Sequence, residues 1–162
     1  MQGLAHPLGG IDHGLAMVAV GLYAALLGGR ALWLVPAVFL AAMALAGAIG
    51  MTGYALPYTE VGIAASVIVL GLAVAFRIRL PTVAAMALAG LFAIFHGHAH
   101  GAEMPQTISG YWYAAGFLHA TALLHGAGIA LGIIAGNIRW RVAQAAGAAM
   151  TLAGIVLLGS AV

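Results

Sequence analysis

Six long apolar runs divide the chain, at residues 9–28, 32–52, 60–76, 81–99, 110–135 and 141–161. Glycines, prolines and single charges punctuate them. A bilayer-spanning helix needs about 20 apolar residues, so 162 residues accommodate about six spans joined by short loops. The third run is short for a span. Pro57 and Pro81 flank it, where proline can end or start a helix, and Pro36 falls in the first turns of run two, where its missing N–H is tolerated. The pattern predicts an all-α membrane protein: one transmembrane domain, residues 1–162, built as a bundle of about six helices.

The few charges orient this bundle. Arg30 lies between runs one and two, Arg77 and Arg79 between three and four, and Arg139 and Arg141 between five and six. In a six-helix chain these junctions share one side, which the positive-inside rule makes cytoplasmic. Asp12, Glu60 and Glu103 fall at the opposite side, together with both termini. Acids there would draw cations toward that face. Glu60 reads most simply as a solvated loop acid. Tyr54, Tyr58, Tyr111, Trp112 and Tyr113 gather at the outer boundary and Trp33 and Trp140 at the inner one, as an aromatic belt would.

Composition agrees. Hydrophobic residues make up 65% of the chain and charged residues 5%, with mean hydropathy +1.14. A water-soluble domain carries about a quarter of its residues charged. The net charge is +2, and the arginines sit singly or in pairs between apolar runs, without the basic stripe a nucleic acid requires. There is no lysine and no phosphate-binding loop, which excludes nucleotide hydrolysis within this chain. Cysteine is absent, which excludes disulfides and thiolate metal sites.

Glycine is abundant, at 24 residues. Gly128, Gly132 and Gly136 repeat every four residues, as do Gly10 and Gly14, a spacing that lets membrane helices approach closely. Packing within one subunit is the simpler use; a homo-oligomer interface is the other. A His/Asp group at the start of run one and a His/Glu group at the end of run four suggest two inverted three-helix repeats, a common transporter plan.

The seven histidines are grouped. His6, Asp12 and His13 open run one, with Met17 one turn on. His96, His98, His100 and Glu103 close run four. His119 and His125 lie within run five. At helical spacing, His13 and Met17 share a face, as do His96 and His100, while His98 points elsewhere unless Gly97 and Gly101 unwind the helix end. His119 falls about 13 Å below the outer boundary, near the bilayer middle, and His125 deeper. Imidazole suits nickel, cobalt, zinc and copper, and carboxylate offsets a dication's charge. A lone membrane histidine can also bond neighbouring helices, a reading His125 fits equally well. Met17 fits packing better than ligation. Ionisable groups at membrane depth are costly and point to function.

At these positions the chain resembles the HupE/UreJ family of nickel permeases. The segment His6-Pro-Leu-Gly-Gly-Ile-Asp12-His13-Gly-Leu-Ala-Met17-Val-Ala-Val-Gly21 is similar to the family's first-helix signature. Phe95-His96-Gly97-His98-Ala99-His100-Gly101-Ala102-Glu103 is similar to its fourth-helix signature. The resemblance implies secondary uptake of nickel, with cobalt in some members, across a bacterial inner membrane, with both termini periplasmic. It implies functional roles for His6, Asp12, His13, His96, His100 and Glu103. Family precursors usually carry a cleavable signal peptide; Met1-Gln2-Gly3-Leu4 has no charged n-region, which agrees with an exposed outer N-terminus.

The expected partners are a divalent ion as cargo and the lipid bilayer, with no resident cofactor, nucleotide or nucleic acid. The expected path runs from Asp12 and Glu103 through His13, His96 and His100 to His119 and then His125. Two readings of other classes stand beside it. An intramembrane zinc hydrolase could use His and Asp, but no His-Glu-x-x-His run is present and only Ser66, Ser109 and Ser160 offer hydroxyl nucleophiles of that type. A haem-binding electron carrier would use paired histidines as axial ligands.

Overall fold

The computed structural model describes residues 10–105, 107, 109–138 and 140–161. His6 and Arg139 therefore lie outside the described residues. Six helices follow in chain order: α1 (Ile11–Leu27), α2 (Ala31–Gly50), α3 (Thr59–Ala75), α4 (Thr82–Ala102), α5 (Gly110–Ile138) and α6 (Trp140–Ala161). Among the described residues no strand occurs. The protein is an all-α membrane protein. Four of the helices, α2, α4, α5 and α6, are long and apolar enough to cross a bilayer. α1 and α3 are apolar too but have 17 residues each. At 1.5 Å per residue they reach about 25 Å, the lower end of what a span requires.

Each run becomes a helix because lipid cannot satisfy backbone N–H and C=O groups, so they must pair within the segment. Loops are correspondingly tight. Between α1 and α2, Gly28 and Gly29 take positive φ values of 69° and 53°, which glycine adopts without strain. Pro36 sits inside α2 without ending it.

Three helix pairs dominate the packing: α2 with α4, α3 with α6, and α1 with α5. All three are crossings where glycine replaces side-chain bulk. A β-carbon on Gly97 would collide with the Met43 carbonyl, and one on Gly101 with the Gly47 carbonyl. One on Gly21 would strike the His125 carbonyl, and one on Gly128 the Val18 carbonyl. A β-carbon on Gly71 would stand 2.8 Å from the Gly147 carbonyl oxygen. Exchanging the first three helices for the last three maps α2–α4 onto α1–α5 and α3–α6 onto itself. The expected glycines were partly different. Gly128 and Gly132 do face α1, but Gly14 meets nothing within 4 Å, and Gly21 makes the contact instead. The surroundings of Gly136 lie outside what is described.

The lipid-facing surface carries Leu45, Leu91, Leu123, Leu152 and Val156, all exposed. At the arginine-bearing end, the Arg77 guanidinium lies 5.2 Å from the Trp140 ring centre, and the Gln144 amide donates to the Ala75 carbonyl at 2.8 Å. Tyr54, Tyr58, Tyr111 and Trp112 are exposed. Tyr113 departs from the expected belt: it is 2% exposed and turned into the bundle.

Candidate metal-ion site

Asp12 and His13 begin α1, and the fold holds them tightly. The Asp12 carboxylate accepts the His13 backbone N–H at 2.8 Å and lies 3.1 Å from His13 Nδ1. Gly10 leaves room for this arrangement, since a β-carbon there would stand 2.8 Å from Asp12 Oδ1. An ionised carboxylate only accepts, so His13 Nδ1 carries the proton. His13 Nε2 is then a bare lone pair. It is buried and has no hydrogen-bond partner.

His96 is set up in a parallel way from another helix. The Ser66 hydroxyl of α3 donates to the Ile63 carbonyl at 2.6 Å. Its one proton is thereby used, so at 2.9 Å from His96 Nε2 it acts as acceptor. Nε2 therefore carries the imidazole proton. His96 Nδ1 is left as a buried lone pair without a partner. Anchoring one ring nitrogen so that the other points its lone pair at an ion is how proteins orient metal-binding histidines.

His100 completes the group. It follows His96 by four residues on an α-helix that continues unbroken to Ala102, so both rings share a face. The His13 ring lies 4.9 Å from that of His96 and 4.6 Å from that of His100. A metal ion binds imidazole nitrogen at about 2 Å, so rings this close can share one ion. Phe117 stacks on His100 at 5.1 Å with planes 12° apart, and Tyr113 packs edge-on to Phe117. Gly47 gives Phe117 its space, as a β-carbon there would lie 3.1 Å from the ring tip. His96 and His100 are fully buried, and His13 nearly so. Among the described residues, no group of three or more His, Asp or Glu side chains is placed so that it could hold a metal ion as it stands. The rings must turn to close on an ion.

Parts of the first- and fourth-helix motifs thus meet, the His13 ring lying against those of His96 and His100. The sequence profile of the family described as HupE / UreJ protein matches residues 1–157. The chain belongs to the HupE/UreJ family. It is similar to Protein HupE of Rhizobium leguminosarum bv. viciae, at 48% identity over 159 residues, covering 98% of this chain and 83% of that protein. No solved structure matches.

The remaining histidines of this HupE/UreJ chain part company. On α5, Phe117, Thr121 and His125 follow at intervals of four and are all buried. His125 places its ring 5.1 Å from Phe39, whose ring is also 5.8 Å from His96. Phe39 thus contacts both His96, of the upper imidazole group, and His125. Because the His125 carbonyl abuts Gly21, His125 sits about eight residues of helix, or about 12 Å, below His13. Both its ring nitrogens are buried without a partner. His119, two residues past Phe117, faces the opposite side and is exposed. The structure does not bring it to the group, so the expected step through His119 has no support in the geometry.

His98 also lies apart. Gly97 and Gly101 do not unwind α4; they admit α2 against it. His98 Nε2 instead lies 2.6 Å from the Tyr54 carbonyl oxygen. Glu103 caps the end of α4 and is exposed. Met17 is buried in the core. Glu60, expected as a plain loop acid, lines a cavity of about 140 Å³ together with Asp12, Ala64, Leu157 and Ser160. Three residues gained a place that sequence did not assign: Ser66 as the anchor of His96, Phe39 in contact with both levels of imidazole, and Glu60 beside Asp12. A serine thirty residues before His96 carries no local signal of that contact.

Proposed function

We propose that this chain is a secondary permease for uptake of divalent nickel across the bacterial inner membrane. The single observation that carries the reading is the meeting of His13 and His96, each anchored through one ring nitrogen and bare at the other, beside His100 and the Asp12 carboxylate. The family resemblance supplies nickel and transport, and cobalt is the nearest alternative cargo.

A hydrated ion arrives at the mouth bearing Asp12, Glu60 and Glu103. Asp12 offsets its charge, because a bare dication in a low-dielectric interior is prohibitively costly. Water ligands are exchanged for His13 Nε2, His96 Nδ1 and the His100 ring. The incomplete arrangement favours release, whereas a closed four-ligand cage would hold the ion. Phe39 contacts both this level and His125, the next imidazole inward. An inward dication gains about 4.6 kcal/mol per 100 mV of negative-inside potential, enough to drive accumulation without nucleotide.

The test is uptake of nickel into vesicles containing the purified protein, with a negative-inside potential and competing Co²⁺ or Zn²⁺. Nickel accumulation that cobalt competes more strongly than zinc supports the reading. Absence of accumulation, or cleavage of lipid or peptide with a retained Zn²⁺, contradicts it.

A further inference from the structure

We propose that Met51, Met104 and His98 form a second metal site at the acid-bearing end of the bundle, for a soft monovalent cation of the Cu(I) or Ag(I) type, outside the nickel path.

The two thioethers converge. A β-carbon on Gly110 would stand 3.3 Å from Met51 Sδ and 3.4 Å from Met104 Sδ. Both sulfurs thus pack against Gly110, from the end of α2 on one side and from the segment after α4 on the other. Both methionines line a cavity of about 400 Å³ that His98 and Tyr54 also line. Thioether sulfur is a soft ligand, with weak attraction for nickel in an oxygen- and nitrogen-bound hydrated state and strong attraction for Cu(I).

His98 supplies the second, independent observation. A carbonyl oxygen has no proton, so at 2.6 Å from the Tyr54 oxygen His98 Nε2 must be the donor. In the neutral ring Nδ1 is then a bare lone pair. His98 is 6% exposed, and its Nδ1 has no hydrogen-bond partner. A buried acceptor without a donor is costly; a cation bound there would remove the cost. The Tyr54 carbonyl plays for His98 the part that Ser66 plays for His96, fixing the ring through one nitrogen.

The site is distinct from the imidazole group. His98 follows His96 by two residues, which turns its side chain about 200° around α4. Gly97 and Gly101, pressed on α2, lie along the helix between the two directions. Two sulfurs and one nitrogen suit a three-coordinate d10 ion, whereas the outer imidazoles and Asp12 suit a harder dication.

Ag⁺ is the probe, since it is stable in air. The full chain is labelled at the methionine methyl groups and titrated with Ag⁺ in lipid nanodiscs. The resonances of Met51 and Met104 are expected to shift together with one equivalent, while those of buried Met17 and Met43 stay. The double variant Met51→Leu/Met104→Leu, which keeps volume and apolarity, is expected to weaken Ag⁺ binding at least tenfold and to change nickel uptake less than twofold. Unmoved Met51 and Met104 resonances, or unchanged Ag⁺ affinity in the double variant, overturn the site. Parallel loss of nickel uptake in that variant overturns its separation from the path. Failure of the wild-type chain to carry nickel would fault the transport reading alone and leave this titration unaffected.

Discussion

At the scale of single residues, the proposed transport depends on where protons sit on imidazole rings. His13 and His96 each spend one nitrogen on an anchor, Asp12 and Ser66 respectively, and leave the other buried without a partner. Removing an anchor should therefore weaken metal binding without emptying the pocket. Ser66→Ala deletes the acceptor for His96 Nε2–H and frees the ring to turn or change tautomer. Anchors of this kind change metal affinity about 10–100-fold, so KM for nickel uptake is expected to rise about tenfold or more in vesicles with equal amounts of inserted protein. An unchanged KM would show that Ser66 does not orient the ligand. Protonation gives a second expectation. An imidazole must be neutral to bind metal, and its ordinary pKa is about 6.5. A proton and the ion compete for the same lone pair. Initial uptake rates at subsaturating nickel should hold between about pH 8 and 7 and fall as the pH is lowered further. Nickel affinity that is unchanged down to the lowest pH at which the chain stays folded would argue against histidine ligation. The grouping of His13, His96 and His100 was legible because helical spacing alone puts His96 and His100 on one face. Ser66 was not, because a serine inside an apolar helix ordinarily bonds back to its own carbonyls, and only the fold shows that its oxygen also serves a second helix.

Helices bring these residues together by dispensing with side chains where they cross. Gly97 and Gly101 are set one turn apart, and so are His96 and His100, on the adjoining face of α4. The glycines press that face onto α2 and so fix the depth at which the imidazoles stand. Gly97→Val would drive two methyl groups and a methine into the Met43 backbone. Overpacking of this sort costs about 1–3 kcal/mol where a core can adjust, and a backbone neighbour adjusts poorly. The variant is expected to unfold at lower temperature in detergent than wild type and to lose nickel uptake. Gly14→Ala, in open space, is expected to leave both unchanged. Equal stability of wild type and Gly97→Val would contradict the packing described. Small-residue spacing announced close approach in α5, but it could not say which neighbour each glycine meets. Gly21, which has no partner glycine four residues away in its own helix, was missed for that reason.

At the scale of the molecule, the six described helices place Arg30, Arg77, Arg79 and Arg141 at one end and Asp12, Glu60 and Glu103 at the other. This polarity sets the direction of the proposed path, with the acids at the mouth and His125 further in. If positive charge faces the cytoplasm, a cysteine introduced at Ser160 should react with a membrane-impermeant thiol reagent from the periplasmic side of intact spheroplasts. Reaction only after the membrane is opened would reverse the topology. The described helices and their order were readable from the apolar runs, because bilayer thickness governs the length of each run directly. Which faces meet was less readable, since nearly every position in these helices is apolar. His119 illustrates the limit: depth alone placed it near the bilayer middle, but its bearing around α5 turns it outward.

Everything about transport rests on one ion touching imidazoles from α1 and α4 at once. Nickel K-edge X-ray absorption of the nickel-loaded protein measures this most directly, compared between wild type and the His13→Ala and His96→Ala variants. The account predicts imidazole scattering in wild type from more than one ring, reduced by one ring in each variant. Identical imidazole scattering in wild type and both variants, or a wild-type spectrum of water oxygens alone, would contradict it.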